Sequence, residues 1–338
     1  MRGIAALGVM CIHFATSTLP TIKPNPLGEF FQWAHLGIPI FFIISGFIIP
    51  YAMYTGGYRL AMAGKFFLKR MIRMVPPAWA ALLLMFAVYY GAIVVTGSPI
   101  AGRYWPGTDP LTVLGNLFFS FKLLDVGKYI DLYWTLEVEF QYYLVIIFLL
   151  PLVLKFASNQ VVLTLILLVL NATYLLNDPE YPRFMFFRDN AFFIIGMLLF
   201  LYKMKLITKP YFAFASLLFV TLCYIQHDMF ALTASVICLL FINYVKFNHP
   251  ALAFLGMISY SLYITHHMSG VVAEFVLRNI SGLTPSDPVK VIMLAVYCCI
   301  SVFFAWLFYK AVEEPSLRWS KKIHLGRKKD KVVKSLSS

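Results

Sequence analysis

An arginine and a histidine bracket the first apolar stretch of the chain, and both residue types can bind anions or move protons. Arg2 and His13 are eleven positions apart. In an α-helix this spacing places them on one face, about 16 Å apart along the axis. If that helix enters a bilayer at Arg2, His13 lies near the middle of the hydrocarbon, where an ionisable residue is costly and usually functional. The alternative is a neutral histidine that only hydrogen-bonds a neighbouring helix.

Two further arginines form a pair. Arg70 and Arg73 lie three residues apart, on one face of a helix, just ahead of Pro76 and Pro77. Paired guanidinium groups suit bidentate binding of phosphate. Basic residues beside a transmembrane span can also serve only to orient that span, and the sequence leaves both interpretations open.

An acid and two small residues also stand inside apolar runs. Glu139 follows the stretch YWTLEV and would lie deeper than the aromatic belt to which Trp134 belongs, where a carboxylate needs a partner. Ser45 and Gly46 interrupt a run of large apolar residues. Close helix packing explains small residues there, and contact with a substrate is the alternative.

A last polar group lies in the run ISYSLYITHH. Ser259, Tyr263 and His266 recur at helical spacing and form one polar stripe. The neighbouring His267 points elsewhere, since adjacent positions do not share a helix face, so the two histidines make a poor metal site. Glu313 stands near the end of the final apolar stretch.

The composition indicates that these residues lie in a membrane protein. Of 338 residues, 61% are hydrophobic and 13% are charged, whereas soluble proteins have about 25% charged residues. We therefore predict an all-α membrane protein with about ten transmembrane helices. The ten apolar stretches lie near residues 3–19, 36–54, 78–97, 133–154, 160–176, 187–202, 211–226, 230–245, 251–273 and 289–312.

The charges of the connecting segments predict the orientation. Segments 55–77 and 203–210 are basic and contain no acidic residue, whereas segment 98–132 has equal numbers of basic and acidic residues. Basic and balanced connections alternate, so the positive-inside rule places both termini in the cytoplasm. We predict a membrane domain over residues 1–318 and a basic cytoplasmic tail over residues 319–338.

Charge and cysteine usage exclude other classes. The formal net charge is +13, but membrane orientation accounts for it, and we predict no nucleic-acid partner. The five cysteines lie in apolar stretches without the spacing of a disulfide framework or a metal site. We therefore predict no bound metal.

In their order and spacing, these polar groups resemble the motifs of the acyltransferase-3 family of bacterial integral membrane enzymes. The matching runs are Arg2 with His13 eleven positions later, GIPIFFIISGFII, Arg70-x-x-Arg73-x-x-Pro76, WTLEVE with its FQYY extension, SYSLYITHH, and Glu313-x-Pro315. They cover almost the whole chain. Two positions depart from the pattern: Thr135 stands where serine is commoner, and Thr265 where tryptophan is common.

The resemblance implies a multi-pass enzyme of the cell inner membrane, in a standalone form without a fused hydrolase domain. It would transfer an acyl group, usually acetyl, from cytoplasmic acetyl-CoA or another acyl-CoA to a hydroxyl of a carbohydrate or glycolipid acceptor. His13 would be the essential histidine, Arg2 its motif partner and Glu139 the essential acid. Arg70 and Arg73 would bind the CoA. Further candidates for binding the substrates are Ser45, Trp134, Ser259, Tyr263, His266 and Glu313.

Several alternatives stay open at this stage. Neutral His13 can act as a general base on the acceptor hydroxyl or as an acyl carrier. Glu139 would orient an imidazole or bind acceptor hydroxyls. A proton-coupled transporter or flippase of a glycolipid would also need histidine, glutamate and arginine inside the membrane, although the sequence has no visible internal repeat. A scaffold of a polysaccharide-synthesis complex would leave these polar residues unexplained.

Overall fold

The computed structural model describes residues 1–18, 29–96, 109–176, 184–245, 249–281 and 287–324, and all regular secondary structure within them is helical. This confirms the predicted all-α class. The α-helices are α1 (Arg2–His13), α2 (Gly37–Thr55), α3 (Ala63–Thr96), α4 (Pro110–Leu117), α5 (Trp134–Phe156), α6 (Gln160–Ala172), α7 (Met185–Lys203), α8 (Lys209–Gln226), α9 (Met229–Tyr244), α10 (Pro250–Met257), α11 (Ser259–Ser281), α12 (Asp287–Phe308) and α13 (Glu314–Lys321). Short 3-10 or π-helical turns adjoin them at Phe14–Thr18, Phe31–Leu36, Leu60–Met62, Asp131–Tyr133, Thr173–Leu176 and Tyr309–Glu313.

Membrane character is evident from helix length and composition. Among the described residues, five stretches are long and apolar enough to cross a bilayer: Phe31–Thr55, Leu60–Gly91, Asp131–Phe156, Met185–Lys203 and Val291–Lys321. Shorter apolar helices occupy Arg2–Thr16, Gln160–Leu176 and Met229–Tyr244. That the chain crosses the membrane about ten times, with both termini in the cytoplasm, stays a prediction.

Helix α3 starts earlier than the apolar stretch predicted. It begins at Ala63 rather than near residue 78 and runs through Pro76 and Pro77 without interruption. Prolines are tolerated inside membrane helices where neighbouring groups satisfy the backbone. Helix α11 contacts this part of α3, where the Tyr260 hydroxyl donates to the Met74 carbonyl at 2.9 Å. The arginine pair therefore lies on the same continuous helix as the span, not on a loop before it.

The ninth predicted stretch is two helices. Helix α10 ends at Met257, and α11 begins at Ser259. The Ser259 hydroxyl donates to the Gly256 carbonyl at 2.9 Å, which satisfies a carbonyl that the helix end leaves without an intrahelical partner. Hydropathy alone does not show this break, because both halves are apolar.

Helices α2 and α7 pack closely through glycines. A Cβ added to Gly46 would lie 2.8 Å from the Phe193 Cα, and one added to Gly196 would lie 2.8 Å from the Gly46 Cα. Real Cβ atoms essentially never approach other atoms so closely, so the crossing requires glycine. This supports the packing role predicted for Gly46 and fixes the position of the adjacent Ser45.

Helix α1 packs against α2, α10 and α11. Its small residues allow this: a Cβ on Gly3 would lie 2.6 Å from the Gly256 nitrogen. Glycine therefore permits close approach at this end of α1, beside Arg2. His13 is the last residue of the helix.

The segment between α3 and α5 is fixed by buried and capping groups. The Asp109 side chain caps α4 by accepting a hydrogen bond from the Thr112 backbone N–H at 3.0 Å, and hydrogen bonds from Thr112 lower the pKa of this carboxyl. The fully buried Glu137 accepts from the backbone N–H groups of Lys122 and Leu123 at 3.2 and 3.3 Å. The segment is therefore attached to the start of α5.

The C-terminal boundary differs from the prediction. The limit between residues 318 and 319 falls inside α13, which packs against α3. Lys69 Nζ donates to the Ile323 carbonyl at 3.0 Å, so the chain is attached to the bundle as far as Ile323. Most of the predicted tail, residues 325–338, lies outside the described residues.

Candidate active site

A pocket lined by three arginines lies where α1, α2, α3, α5 and α11 meet. The empty space within it, including the part that is open to solvent, is about 450 Å³. The lining residues are Arg2, Ser45, Ile48, Ile49, Arg70, Arg73, Met74, Glu139, Tyr143 and Tyr260. Glu139 contributes the single carboxylate of this lining against three guanidinium groups, so the lining carries a formal charge of +2. The first-helix arginine and the arginine pair, far apart in sequence, thus converge on one space.

Aromatic rings, rather than acids, surround two of these arginines. The Arg70 guanidinium lies over the rings of Phe66 and Tyr143, 5.5 and 5.6 Å from their centroids. Arg2 lies 5.7 Å from the Phe41 centroid, and its Nε is buried without a hydrogen-bond partner. An arginine that only orients a transmembrane span would not need to be enclosed in this way.

Arg73 and Glu139 complete the charged lining. In the described part of the chain, Arg73 has neither a hydrogen bond nor an ion pair, and Glu139 is held by the Tyr143 hydroxyl, which donates to it at 2.6 Å. A partly buried guanidinium without a hydrogen-bonded anion is costly. The pocket is therefore suited to bind a ligand that brings several negative charges, as phosphate groups do.

A second, more apolar pocket of about 430 Å³ adjoins the first. Its lining residues are Arg2, Ile38, Phe41, Phe42, Ser45, Thr135, Leu136, Glu139, Ser259, Tyr260 and Tyr263. The two pockets share the residues Arg2, Ser45, Glu139 and Tyr260. Together they form a recess that is cationic at one end and mostly apolar at the other.

Two histidines are paired near the end of α1. His13 Nδ1 and His266 Nε2 are 2.9 Å apart, and the rings are stacked at 14° with centroids 5.2 Å apart. His266 is fully buried, and its Nδ1 lies 3.0 Å from the Leu262 carbonyl oxygen. The partner of the first-helix imidazole is therefore a second imidazole.

Tyr263 lies between the apolar pocket and this histidine pair. It lines the pocket, and its ring centroid is 6.2 Å from that of His266 and 5.6 Å from that of Phe41. The hydroxyl groups of Tyr263 and Thr135 are 2.9 Å apart, which fixes the phenol. One aromatic ring thus separates the recess from His266.

The structure brings most of the predicted site residues together. Those that line the recess are Arg2, Ser45, Arg70, Arg73, Glu139, Ser259 and Tyr263. His13 and His266 form the neighbouring pair. Their roles in binding and catalysis stay predictions.

Glu139 contacts Tyr143 rather than an imidazole among the described residues, and its alternative role, binding of acceptor hydroxyls, stays a prediction. The imidazole of His13 contacts His266, whereas the Glu139 carboxylate accepts from Tyr143 and faces the arginines. The periodicity that places Tyr143 one turn after Glu139 already indicated this contact.

Trp134 and Glu313 are not among the residues that line the two pockets. Trp134 meets Phe42 edge-on at 6.2 Å, and the Arg188 guanidinium lies 5.5 Å from its centroid. The buried Glu313 carboxylate accepts from the backbone N–H and the hydroxyl of Ser261, at 3.1 and 2.5 Å. A carboxylate is favourable there, because the first N–H groups of α11 lack intrahelical partners.

Tyr260 is a lining residue that the sequence analysis missed. It contributes to the lining of both pockets. Its position three residues before Tyr263 on α11 is the signal that could have identified it. Thr135 was noted only as a departure from a motif, yet its hydroxyl contacts Tyr263.

Comparison with known proteins supports the family suggested by the motifs. The model of the family Acyl_transf_3, described as an acyltransferase domain, matches residues 1–310 of the 338-residue chain. No curated protein and no solved structure matches the chain. The matched range contains Arg2, the arginine pair, Glu139 and both histidines. The chain belongs to the acyltransferase-3 family, and this membership together with its apolar helices supports a membrane-bound acyltransferase.

Proposed function

We propose that the protein transfers an acyl group, most simply acetyl, from cytoplasmic acyl-CoA to a hydroxyl of a carbohydrate or glycolipid. The observation that carries this proposal is the recess, which has guanidinium groups without ion pairs at one end and an apolar chamber at the other. The histidine pair lies on the far side of the Tyr263 ring from this chamber. An acyl-CoA has the matching order of parts, with phosphates followed by a long arm and a thioester.

The cationic end would hold the donor. Phosphate groups are bound well by arginine, and the one carboxylate of the lining, that of Glu139, leaves it with a formal charge of +2. Arg2 lines both pockets and would contact the donor where the phosphates give way to the arm. Glu139, fixed by Tyr143, would limit the positive charge and reduce the repulsion between the guanidinium groups.

The sidedness follows from the distribution of charge along the chain. With about ten crossings and both termini in the cytoplasm, the basic segment 55–77, which includes the first part of α3, would face the cytosol, where acyl-CoA is found. The acceptor would approach from the opposite face of an inner membrane.

His13 would act as the general base. Its Nε2 takes the proton of the acceptor hydroxyl while that oxygen attacks the thioester carbonyl. The new C–O bond forms, the C–S bond breaks, and the proton passes from His13 to the departing CoA sulfur. Each turnover therefore releases one free CoA thiol, and His13 returns to its neutral form.

Release of the CoA thiol from acetyl-CoA tests this proposal without knowledge of the acceptor. The assay uses membranes of the source organism with the chromosomal gene replaced by a variant, with the rate of the deletion strain subtracted. His13→Ala should reduce the rate to that of the deletion strain, because general-base catalysis is typically worth 10²- to 10⁴-fold. The matched control is His249→Ala, since His249 is exposed and caps α10.

Near-normal thiol release by folded His13→Ala protein would remove His13 from the mechanism. A purified wild-type protein whose thermal midpoint does not rise with acetyl-CoA would contradict donor binding. That second result would instead favour a transport function for the intramembrane charges.

A further inference from the structure

The hydrogen bonds of His266 define which of its nitrogens carries a proton. A backbone carbonyl can only accept, so the 3.0 Å contact with Leu262 requires a proton on His266 Nδ1. The ring is fully buried, which disfavours a second proton and the charge that comes with it. His266 Nε2 therefore presents a lone pair toward His13.

This lone pair determines the tautomer of the other histidine. At 2.9 Å from His266 Nε2, His13 Nδ1 must supply the proton of the shared hydrogen bond. In the neutral form of His13 the remaining lone pair is then on Nε2. That is the nitrogen a general base needs, and without a fixed partner an imidazole populates both tautomers.

Aromatic neighbours hold His266 in this orientation. Phe14 meets its ring edge-on with centroids 6.1 Å apart, and Tyr263 lies 6.2 Å away on α11 itself. The ring is thus packed on its sides and hydrogen-bonded at both nitrogens. Rigid support of this kind is what lets one residue set the geometry of another.

We propose that His266 is a positioning residue: through its Nε2 it fixes His13 as the Nδ1–H tautomer and directs the basic Nε2 of His13 to the acceptor hydroxyl. This deepens the proposed function and rests on it. The partner is a neutral imidazole rather than the carboxylate that orients histidine in hydrolase triads. It accepts the same N–H bond while adding no negative charge beside the donor thioester.

Two substitutions separate this role from a structural one. In His266→Gln, the side-chain oxygen reaches the place of Nε2 and accepts from His13, but the bond to Leu262 is lost. In His266→Asn, the amide nitrogen takes the place of Nδ1 and keeps the bond to Leu262, but nothing accepts from His13. Both variants are assayed by release of the CoA thiol, with thermal midpoints measured on the purified proteins.

The proposal expects His266→Gln to retain more activity than His266→Asn. In His266→Asn, kcat falls at least about tenfold, as expected when a catalytic histidine loses its tautomer. KM for acetyl-CoA should stay within about twofold of wild type, because His266 does not line the donor recess. Equal kcat in the two folded variants, or a higher kcat in His266→Asn, would overturn the proposal.

A spectroscopic measurement on the wild-type protein tests the same point without a change at position 266. Nitrogen NMR of the purified protein labelled with ¹⁵N-histidine, with the His13 signals identified by their loss in His13→Ala, reports which nitrogen carries the proton. A proton on Nδ1 is expected, and a proton on Nε2 in neutral His13 would overturn the inference. If instead His13→Ala is fully active, the proposed function itself fails, whatever the tautomer.

Discussion

Replacing Arg73 by leucine should uncouple donor binding from stability. Arg73 lines the cationic pocket and has no hydrogen bond or ion pair within the described ranges. Leucine keeps an apolar side chain in the helix and removes one of three like charges. We therefore expect the ligand-free thermal midpoint to stay the same or rise, because no stabilising contact is lost and charge repulsion falls.

The loss of donor affinity can be worked from the same contacts. A hydrogen bond to a charged group is worth about 1.5–3 kcal/mol, so loss of one guanidinium–phosphate contact should weaken acetyl-CoA about 10- to 150-fold. At a concentration 100 times the wild-type Kd, ligand stabilises the wild-type protein by about 2.7 kcal/mol. For Arg73→Leu the same concentration should stabilise by only about 0.3–1.4 kcal/mol.

The assay is thermal unfolding of purified protein with and without acetyl-CoA. The matched control is Arg59→Leu, because Arg59 belongs to the same basic segment but is exposed and outside the pocket lining. It should keep the wild-type ligand shift. Wild-type stabilisation of Arg73→Leu by acetyl-CoA would refute the assignment of the pocket to the donor. A large fall in the ligand-free midpoint would refute the view that Arg73 is kept for binding.

Two further predictions concern packing. Gly46→Ala should lower the thermal midpoint, because the new Cβ meets the α7 backbone and overpacking costs about 1–3 kcal/mol. The control Gly64→Ala, with open space around it, should be neutral or slightly stabilising. Thermal unfolding of both variants tests this, and equal midpoints would contradict the described crossing of α2 and α7. The thiols of Cys11 and Cys298 are 3.7 Å apart, so a membrane-permeable oxidant should cross-link them, as read by mass spectrometry of peptides. Cys298→Ser should abolish the cross-link and Cys299→Ser should leave it, and any other pattern would place α1 and α12 differently.

Much of the fold was predictable because its signals are local. All ten apolar stretches proved helical over most of their length, since hydropathy and length depend on consecutive residues. The exceptions have nonlocal causes. The Tyr260 hydroxyl of α11 contacts the Met74 carbonyl of α3, and the carboxylate of Glu313 contacts the start of α11, about fifty residues earlier in the chain. No window of sequence contains both partners of such a contact.

The candidate site was predictable as a set of residues but not as a set of pairs. Helical spacing placed Ser259 and Tyr263 on one stripe, and both line the recess. Spacing also put His266 on that stripe, as a residue for binding substrate. Its contact with His13 spans 253 positions, and only tertiary packing brings the rings together. The contact of Glu139 with Tyr143 is, by contrast, a local one, because the two residues lie four positions apart on one helix.

The length of α3 has a consequence for the position of its two arginines. Its 34 residues extend about 51 Å, whereas the hydrocarbon of a bilayer is about 30 Å thick. The helix must therefore tilt or protrude, and Arg70 and Arg73 are carried on the same rigid rod as its membrane-embedded half. A change in tilt would move both guanidinium groups together with the bilayer-facing surface of the helix, so bilayer thickness would affect the height of Arg70 and Arg73.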